Sequence, residues 1–153
     1  MILFYHLTRS PVEDTAALLM GKALAAGWRV MLRGTNPARL MALDEQLWQG
    51  PEESFLPHGM AGGALDADQP VLLGTGPITN AARALLLIDG AEPSAQEMQT
   101  LERVWILFDG NDEAALHHAR GQWKTLTAGG QHAQYWSEET GRWQMKTERK
   151  ATN

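Results

Sequence analysis

The amino-acid sequence predicts an α/β fold, a three-layer Rossmann-like domain with a mostly parallel sheet and no bound nucleotide. Short apolar runs of strand length alternate with segments of helical periodicity, which implies parallel strands joined by right-handed crossovers. Several runs are continuously apolar, as in strands that are covered on both faces. The 153 residues are enough for one ordinary domain. We therefore expect one domain over residues 1–146 and a frayed tail over residues 147–153.

The first part of the chain predicts two strand–helix pairs. ILFYHL is a strand, and the amphipathic helix after it ends at Gly27. WRVMLR is a second strand, after which Asn36 caps a helix that begins at Pro37. The apolar side of that second helix is predicted to carry Leu40, Leu43, Leu47 and Trp48.

Residues 49–68 show no periodicity and are predicted to be a long loop. Beyond it, three buried strands are predicted at QPVLL, RALLLID and ERVWILFDG. Ser94 and Glu97 have the spacing of a capping box and predict a short helix. A final helix is predicted to begin at or near Asp112 and to run to about Thr127. HAQYWS is a last strand, and RWQMK is a weaker strand candidate.

Composition excludes several classes of function. The chain has no cysteine, so thiolate metal sites, disulfides and cysteine nucleophiles are impossible. No apolar run is long enough to span a bilayer, and the N-terminus lacks the pattern of a signal peptide, so we expect a soluble, cytoplasmic protein without a membrane partner. The net charge of −5 argues against direct binding to DNA phosphates. Residues 114–137 contain no acidic side chain, which indicates either an anion-binding surface or chance.

The glycines of Gly74-Thr75-Gly76 follow a predicted strand, where backbone amides would approach a phosphate. In the phosphate-binding motif G-x-G-x-x-G, the third glycine would fall at position 79, where this chain has Thr79. In addition, no helix of normal length follows. A simple turn is the preferred interpretation, and a nucleotide- or small-molecule-binding domain is the alternative. Adjacent His117 and His118 would point about 100° apart on a helix and cannot share a metal ion. We expect no cofactor, no metal and no enzymatic activity.

Two segments are candidate binding surfaces. On the final helix, His117, Arg120 and Lys124 form one stripe beside an apolar stripe that ends in Trp123. This pattern suits an acidic peptide with an aromatic end, although a core position for the indole and solvated cations explain the same spacing. In the long loop, an apolar cluster either folds back onto the core or meets a partner's pocket. Its residues are Phe55, Leu56 and Pro57.

Four segments together resemble the chi subunit family of bacterial DNA polymerase III. They are LDEQLW, PEESFLPHG, QPVLL and ERVWILFDG, and they occur in the family's order along nearly the whole chain. The A-R-x-x-W-K pattern of residues 119–124 matches the family's final helix. The resemblance implies a Rossmann-like domain without a nucleotide that serves as a non-catalytic accessory of the clamp loader in DNA replication.

The resemblance also implies partners. The family binds the acidic C-terminal tail of single-stranded DNA-binding protein and, through a different surface, the psi subunit of the clamp loader. DNA would be contacted only indirectly, and a helicase is a further candidate partner. The implied tail-binding residues are His117, Arg120, Trp123, Lys124 and Asp109. The implied psi-binding residues are Phe55, Leu56 and Pro57.

Two positions depart from the family's pattern. Trp123 stands where the enterobacterial form has tyrosine, so the aromatic ring is kept and a hydroxyl is lost. Leu116 stands where the family has a lysine one turn before the arginine. The second departure predicts a weaker cationic site.

Overall fold

The computed structural model describes residues 1–49 and 56–151. The strands in these ranges are β1 (Ile2–Leu7), β2 (Val30–Arg33), β3 (His58–Met60), β4 (Val71–Gly74), β5 (Ala84–Leu87), β6 (Arg103–Asp109), β7 (Ala133–Ser137) and β8 (Gln144–Arg149). The helices are α1 (Val12–Ala25), α2 (Pro37–Trp48), α3 (Ala95–Thr100) and α4 (Glu113–Ala128), with a 3-10 turn at Asp66–Asp68.

The described strands form one sheet in the order β3-β4-β2-β5-β6-β1-β7-β8. Every neighbouring pair in this order is parallel except β7 and β8, which are antiparallel. Helices α1 and α2 pack on one face of the sheet, where Met20 and Leu40 are buried. Helix α4 packs on the other face, where Ala119 is buried against β1 and β6. The predicted three-layer α/β fold is therefore confirmed.

Local sequence signals begin and end the helices as predicted. The Oδ1 atom of Asn36 accepts hydrogen bonds from two backbone amides at the start of α2, and Asp112 does the same for α4. Ser94 and Glu97 form a capping box at the start of α3. After α1, Gly27 adopts a φ of 85°, a conformation that glycine takes at little cost. No helix in the described ranges is both long and apolar enough to cross a bilayer.

The prediction of a structureless loop over residues 49–68 was wrong for its second half. Residues 58–60 form β3, which pairs with β4 at one edge of the sheet. This strand has only three residues and contains Gly59, so it is too short for an alternating pattern to be visible. Trp48, predicted on the apolar side of α2, is 53% exposed and lies against the ring of His58.

The predicted frayed tail began too early, because residues 147–149 belong to a strand. Strand β8 continues to Arg149 and pairs along β7. Its sequence is QMKTER, and most of its side chains are exposed. The strand exists because the backbone of β7 offers it partners, while its own composition carries almost no hydrophobic signal.

Candidate functional site

A groove of about 780 Å³ lies between α4 and the hairpin formed by β7 and β8. Helix α4 lines it with His117, Arg120, Trp123 and Lys124. The opposite wall comes from the hairpin and the turn within it, through Tyr135, Glu139, Lys146 and Thr147. The side chain of His6, from the neighbouring strand β1, also lines the groove.

The aromatic wall of the groove is anchored in the core. The half-buried ring of Trp123 meets the ring of Phe4 edge-on, with 5.3 Å between centroids. Trp123 also meets Tyr135 edge-on at 5.8 Å, and Phe4 is fully buried. Such edge-to-face pairs stabilise a fixed arrangement of rings. Both interpretations of Trp123 therefore hold in part, because the indole packs on the core and lines the groove.

A polar pair lies beside this wall. The Nδ1 atom of His6 is 2.9 Å from the hydroxyl of Tyr135. Burial raises the pKa of Tyr135 to about 12, with Arg120 opposing and Glu139 reinforcing the shift. The phenol therefore stays protonated at neutral pH and keeps its hydrogen-bonding capacity. Gly110 packs so closely here that a Cβ atom would overlap the imidazole of His6.

The charged groups lie around the apolar wall. Arg120 and Lys124 are exposed on α4, and Lys146 is exposed on the hairpin. Glu139 is 53% exposed and places its Oε1 atom 3.8 Å from Nδ1 of His6. A groove with this arrangement can bind an extended acidic segment, with its carboxylates on the cations and an apolar side chain against the indole.

Four of the five predicted tail-binding residues meet in this groove, since His117, Arg120, Trp123 and Lys124 all line it. Asp109 does not. It lies at the end of β6, where its carboxylate accepts a hydrogen bond from the amide of Asn111, and it lines a different cavity.

Leu116, at the position where the resemblance implied a lysine, packs half-buried against the core and does not line the groove. The sequence did not indicate His6, Tyr135, Glu139, Lys146 or Thr147 as site residues. Among these residues, the positive charge of Lys146 was the one signal that could have indicated an anion-binding site. It could be used only after β8 was recognised as a strand.

The second predicted surface is only partly within the described residues. Phe55 lies outside them, and its predicted role stays a prediction. Leu56 is buried in the core on the α1 and α2 face, and Pro57 is exposed. The next residue, His58, places Nε2 3.2 Å from Oδ1 of Asp44 on α2. This contact joins the first residue of β3 to helix α2.

Of the two glycines at residues 74–76, Gly74 has a packing role, whereas a Cβ atom on Gly76 would enter open space. A Cβ atom on Gly74 would lie 2.8 Å from the Cβ of Ala61, so the backbones approach closely there. The carbonyl of Gly76 accepts a hydrogen bond from Nε of Arg33 at 2.9 Å. The chain then runs from β4 to β5 without an intervening helix, so no helix begins directly after this turn, as a phosphate-binding turn of this type requires. Within the described ranges, no cluster of three or more His, Asp or Glu side chains is arranged to hold a metal ion.

The fold and the groove together define an α/β domain that presents a cationic and aromatic groove beside its sheet. Residues 1–134 match the family model described as DNA polymerase III chi subunit, HolC, and the chain belongs to this family. It is 28% identical over 126 residues to the DNA polymerase III subunit chi of Haemophilus influenzae, covering 80% of this chain and 87% of that protein. It is 34% identical over 62 residues to the subunit of the same name from Escherichia coli K12, covering 40% and 42% of the two chains.

The family assignment confirms the resemblance found in the sequence. It makes the protein a chi-type component of DNA polymerase III and connects it to DNA replication. The match ends at residue 134, within β7, so most of the hairpin wall of the groove lies beyond it.

Proposed function

We propose that this protein is a non-catalytic accessory subunit that links the clamp-loader complex to single-stranded DNA-binding protein, in the cytoplasm, by holding that protein's acidic C-terminal tail. The observation that carries the proposal is the placement of Arg120 and Lys124 beside the half-buried indole of Trp123 in one groove. A guanidinium binds a carboxylate through two parallel hydrogen bonds, and an ammonium adds a point charge. The indole then packs an apolar or aromatic side chain at the end of the tail.

The charge of the whole protein supports recruitment through a protein tail. With a net charge of −5, the surface as a whole repels DNA phosphates. A local cationic groove still attracts an acidic peptide, because exposed charges act mainly within about 10 Å at ordinary ionic strength. Many tails displayed along a coated strand would raise the effective affinity of a weak individual contact.

The sheet order supports a second partner at a distance from the groove. Pro57, the exposed member of the implied psi-binding set among the described residues, comes directly before β3, and β3 is one edge of the sheet. The groove lies at the other edge, beside β8. Across eight strands the two edges are about 34 Å apart, at the usual spacing of about 4.8 Å. Psi, or a helicase at the same segment, can therefore bind without contacting the tail.

The alternative of a nucleotide-binding domain finds no supporting geometry. The turn at residues 74–76 lacks a following helix, as described above. The guanidinium of Arg33, the cation beside this turn, donates to Glu97 and to two backbone carbonyls. Its donors are therefore directed into the fold and away from a phosphate.

Removing either cation of α4 should weaken tail binding. We expect Arg120→Ala and Lys124→Ala each to cost about 1–3 kcal/mol in binding free energy, the range for charge-assisted contacts. The measurement is a calorimetric titration with a short acidic peptide that ends in Pro-Phe, at two salt concentrations. Higher salt should weaken the unaltered protein more than either variant, because part of its affinity is screened.

Lys22→Ala is the matched control, because this exposed lysine lies on α1, on the opposite face of the sheet. It should bind the peptide like the unaltered protein. Unchanged affinity in both α4 variants would rule out this groove as the tail site.

A further inference from the structure

The pairing of β7 with β8 contains an irregularity at one residue. Tyr135 pairs with Thr147, and the next residue, Trp136, pairs with Met145. Lys146 is therefore an extra residue on β8 with no counterpart on β7, which is a β-bulge. Bulges change the direction in which a side chain leaves a sheet.

The bulge changes the face of the sheet on which the side chain of Lys146 lies. Tyr135 packs on the α4 face, beside Trp123, whereas Trp136 packs on the α1 face. In a regular strand, neighbouring residues point to opposite faces, so Lys146 would point away from the face of Thr147. Here Lys146 and Thr147 both line the groove. The extra residue thus adds a cation to the α4 side of the sheet.

We propose that the bulge makes the hairpin the second binding wall of the groove, where Lys146 binds a carboxylate of the acidic peptide across from Arg120 and Lys124. This inference rests on the proposed function and names a residue of the same site. The peptide lies between the two walls, with cations on both sides of it. Glu139 sits near His6 and Tyr135, so acidic peptide residues are placed away from that end.

This wall is carried by the chain's own C-terminal segment. The family match ends at residue 134, and Lys146 lies beyond it. Helix α4 carries Leu116, whose side chain packs against the core and adds no charge to the groove. Lys146 therefore adds a positive charge from the hairpin to those that Arg120 and Lys124 supply from the helix.

The test compares two lysines near the same end of the chain. Lys146→Ala should weaken binding of the acidic peptide ending in Pro-Phe about two- to fivefold, the range for one exposed ion pair. Lys150→Ala is the control, because this exposed lysine follows β8 and does not line the groove. It should leave the affinity unchanged. Circular dichroism would establish that both variants are folded.

A second peptide makes the test specific for a carboxylate. When the acidic residues before the Pro-Phe end are replaced by serine, Lys146→Ala and the unaltered protein should bind equally well, in a double-mutant cycle. If Lys146→Ala binds the acidic peptide normally while Arg120→Ala is weakened, the hairpin wall is refuted and the proposed function stands. If the unaltered protein does not bind the acidic peptide, the proposed function itself fails.

Discussion

Replacing Arg33 with methionine is expected to lower the free energy of unfolding by about 3 kcal/mol, near the lower end for breaking a buried ion pair. The two terminal nitrogens of Arg33 donate to the two carboxylate oxygens of Glu97 at 2.8 and 2.7 Å. The side chains are only 11% and 16% exposed. Methionine fills similar volume but leaves the Glu97 carboxylate and the carbonyls of Gly76 and Glu92 without these donors. Urea unfolding at neutral pH measures the loss.

An exposed ion pair provides the control for this prediction. Arg83 pairs with Glu102, and their side chains are 59% and 42% exposed. Arg83→Met should cost less than about 1 kcal/mol, because water already solvates both charges. The double variant Arg33→Met with Glu97→Met should lose less stability than the sum of the two single changes. Equal, small losses for Arg33→Met and Arg83→Met would contradict the prediction.

Replacing Glu138 with alanine is expected to cost about 2–3 kcal/mol. This carboxylate is 5% exposed and follows β7, and its Oε1 atom accepts backbone N–H bonds from Thr8, Arg9 and Ser10 at 3.0, 2.7 and 2.6 Å. Its Oε2 atom accepts the hydroxyl of Ser10 at 2.8 Å. The variant leaves these donors between β1 and α1 without their acceptor. Glu139→Ala, at the exposed neighbouring position, is the control and should cost much less.

The contribution of Glu138 should depend on pH. Burial alone would raise the pKa of Glu138, but the hydrogen bonds from residues 8–10 outweigh it and hold the pKa below the ordinary value. The folded state therefore binds the proton less readily than the unfolded chain does. The stabilisation that Glu138 contributes is complete above the ordinary glutamate pKa of about 4.3, and it is lost as the pH falls through the pKa of Glu138 in the folded state. The stability difference between the unaltered protein and Glu138→Ala should shrink below about pH 4. A difference that stays constant from neutral to acidic pH would show that the charge is not involved.

The interior of the fold could be predicted from the sequence because its signals are local. Continuous apolar runs mark strands covered on both faces, and the caps at Asn36, Ser94 and Asp112 lie where the helices begin. The two edge strands could not be predicted in the same way. Strand β3 is very short and β8 is mostly polar, so both depend on the backbone groups of their neighbours rather than on their own pattern.

In the candidate site, too, local sequence patterns predicted some residues, whereas others depend on tertiary contacts. The stripe of Arg120 and Lys124 follows from helical spacing, which depends on a few neighbouring residues. The opposite wall requires tertiary information, since His6 and Tyr135 are 129 residues apart and meet only because β7 pairs with β1. The bulge at Lys146 breaks the strand alternation from which its direction would be inferred.

The ring contacts among Phe4, Trp123 and Tyr135 have a kinetic consequence. Folding itself sets the orientation of the indole, so the acidic peptide of the proposed function would meet a rigid site and would lose little affinity to ordering it. Association of that peptide should then follow a single bimolecular step, with an observed rate proportional to the peptide concentration. Added salt should lower the association rate constant, because it screens the attraction between the opposite charges. Differences in affinity between related peptides would appear mainly in the dissociation rate constants of their complexes.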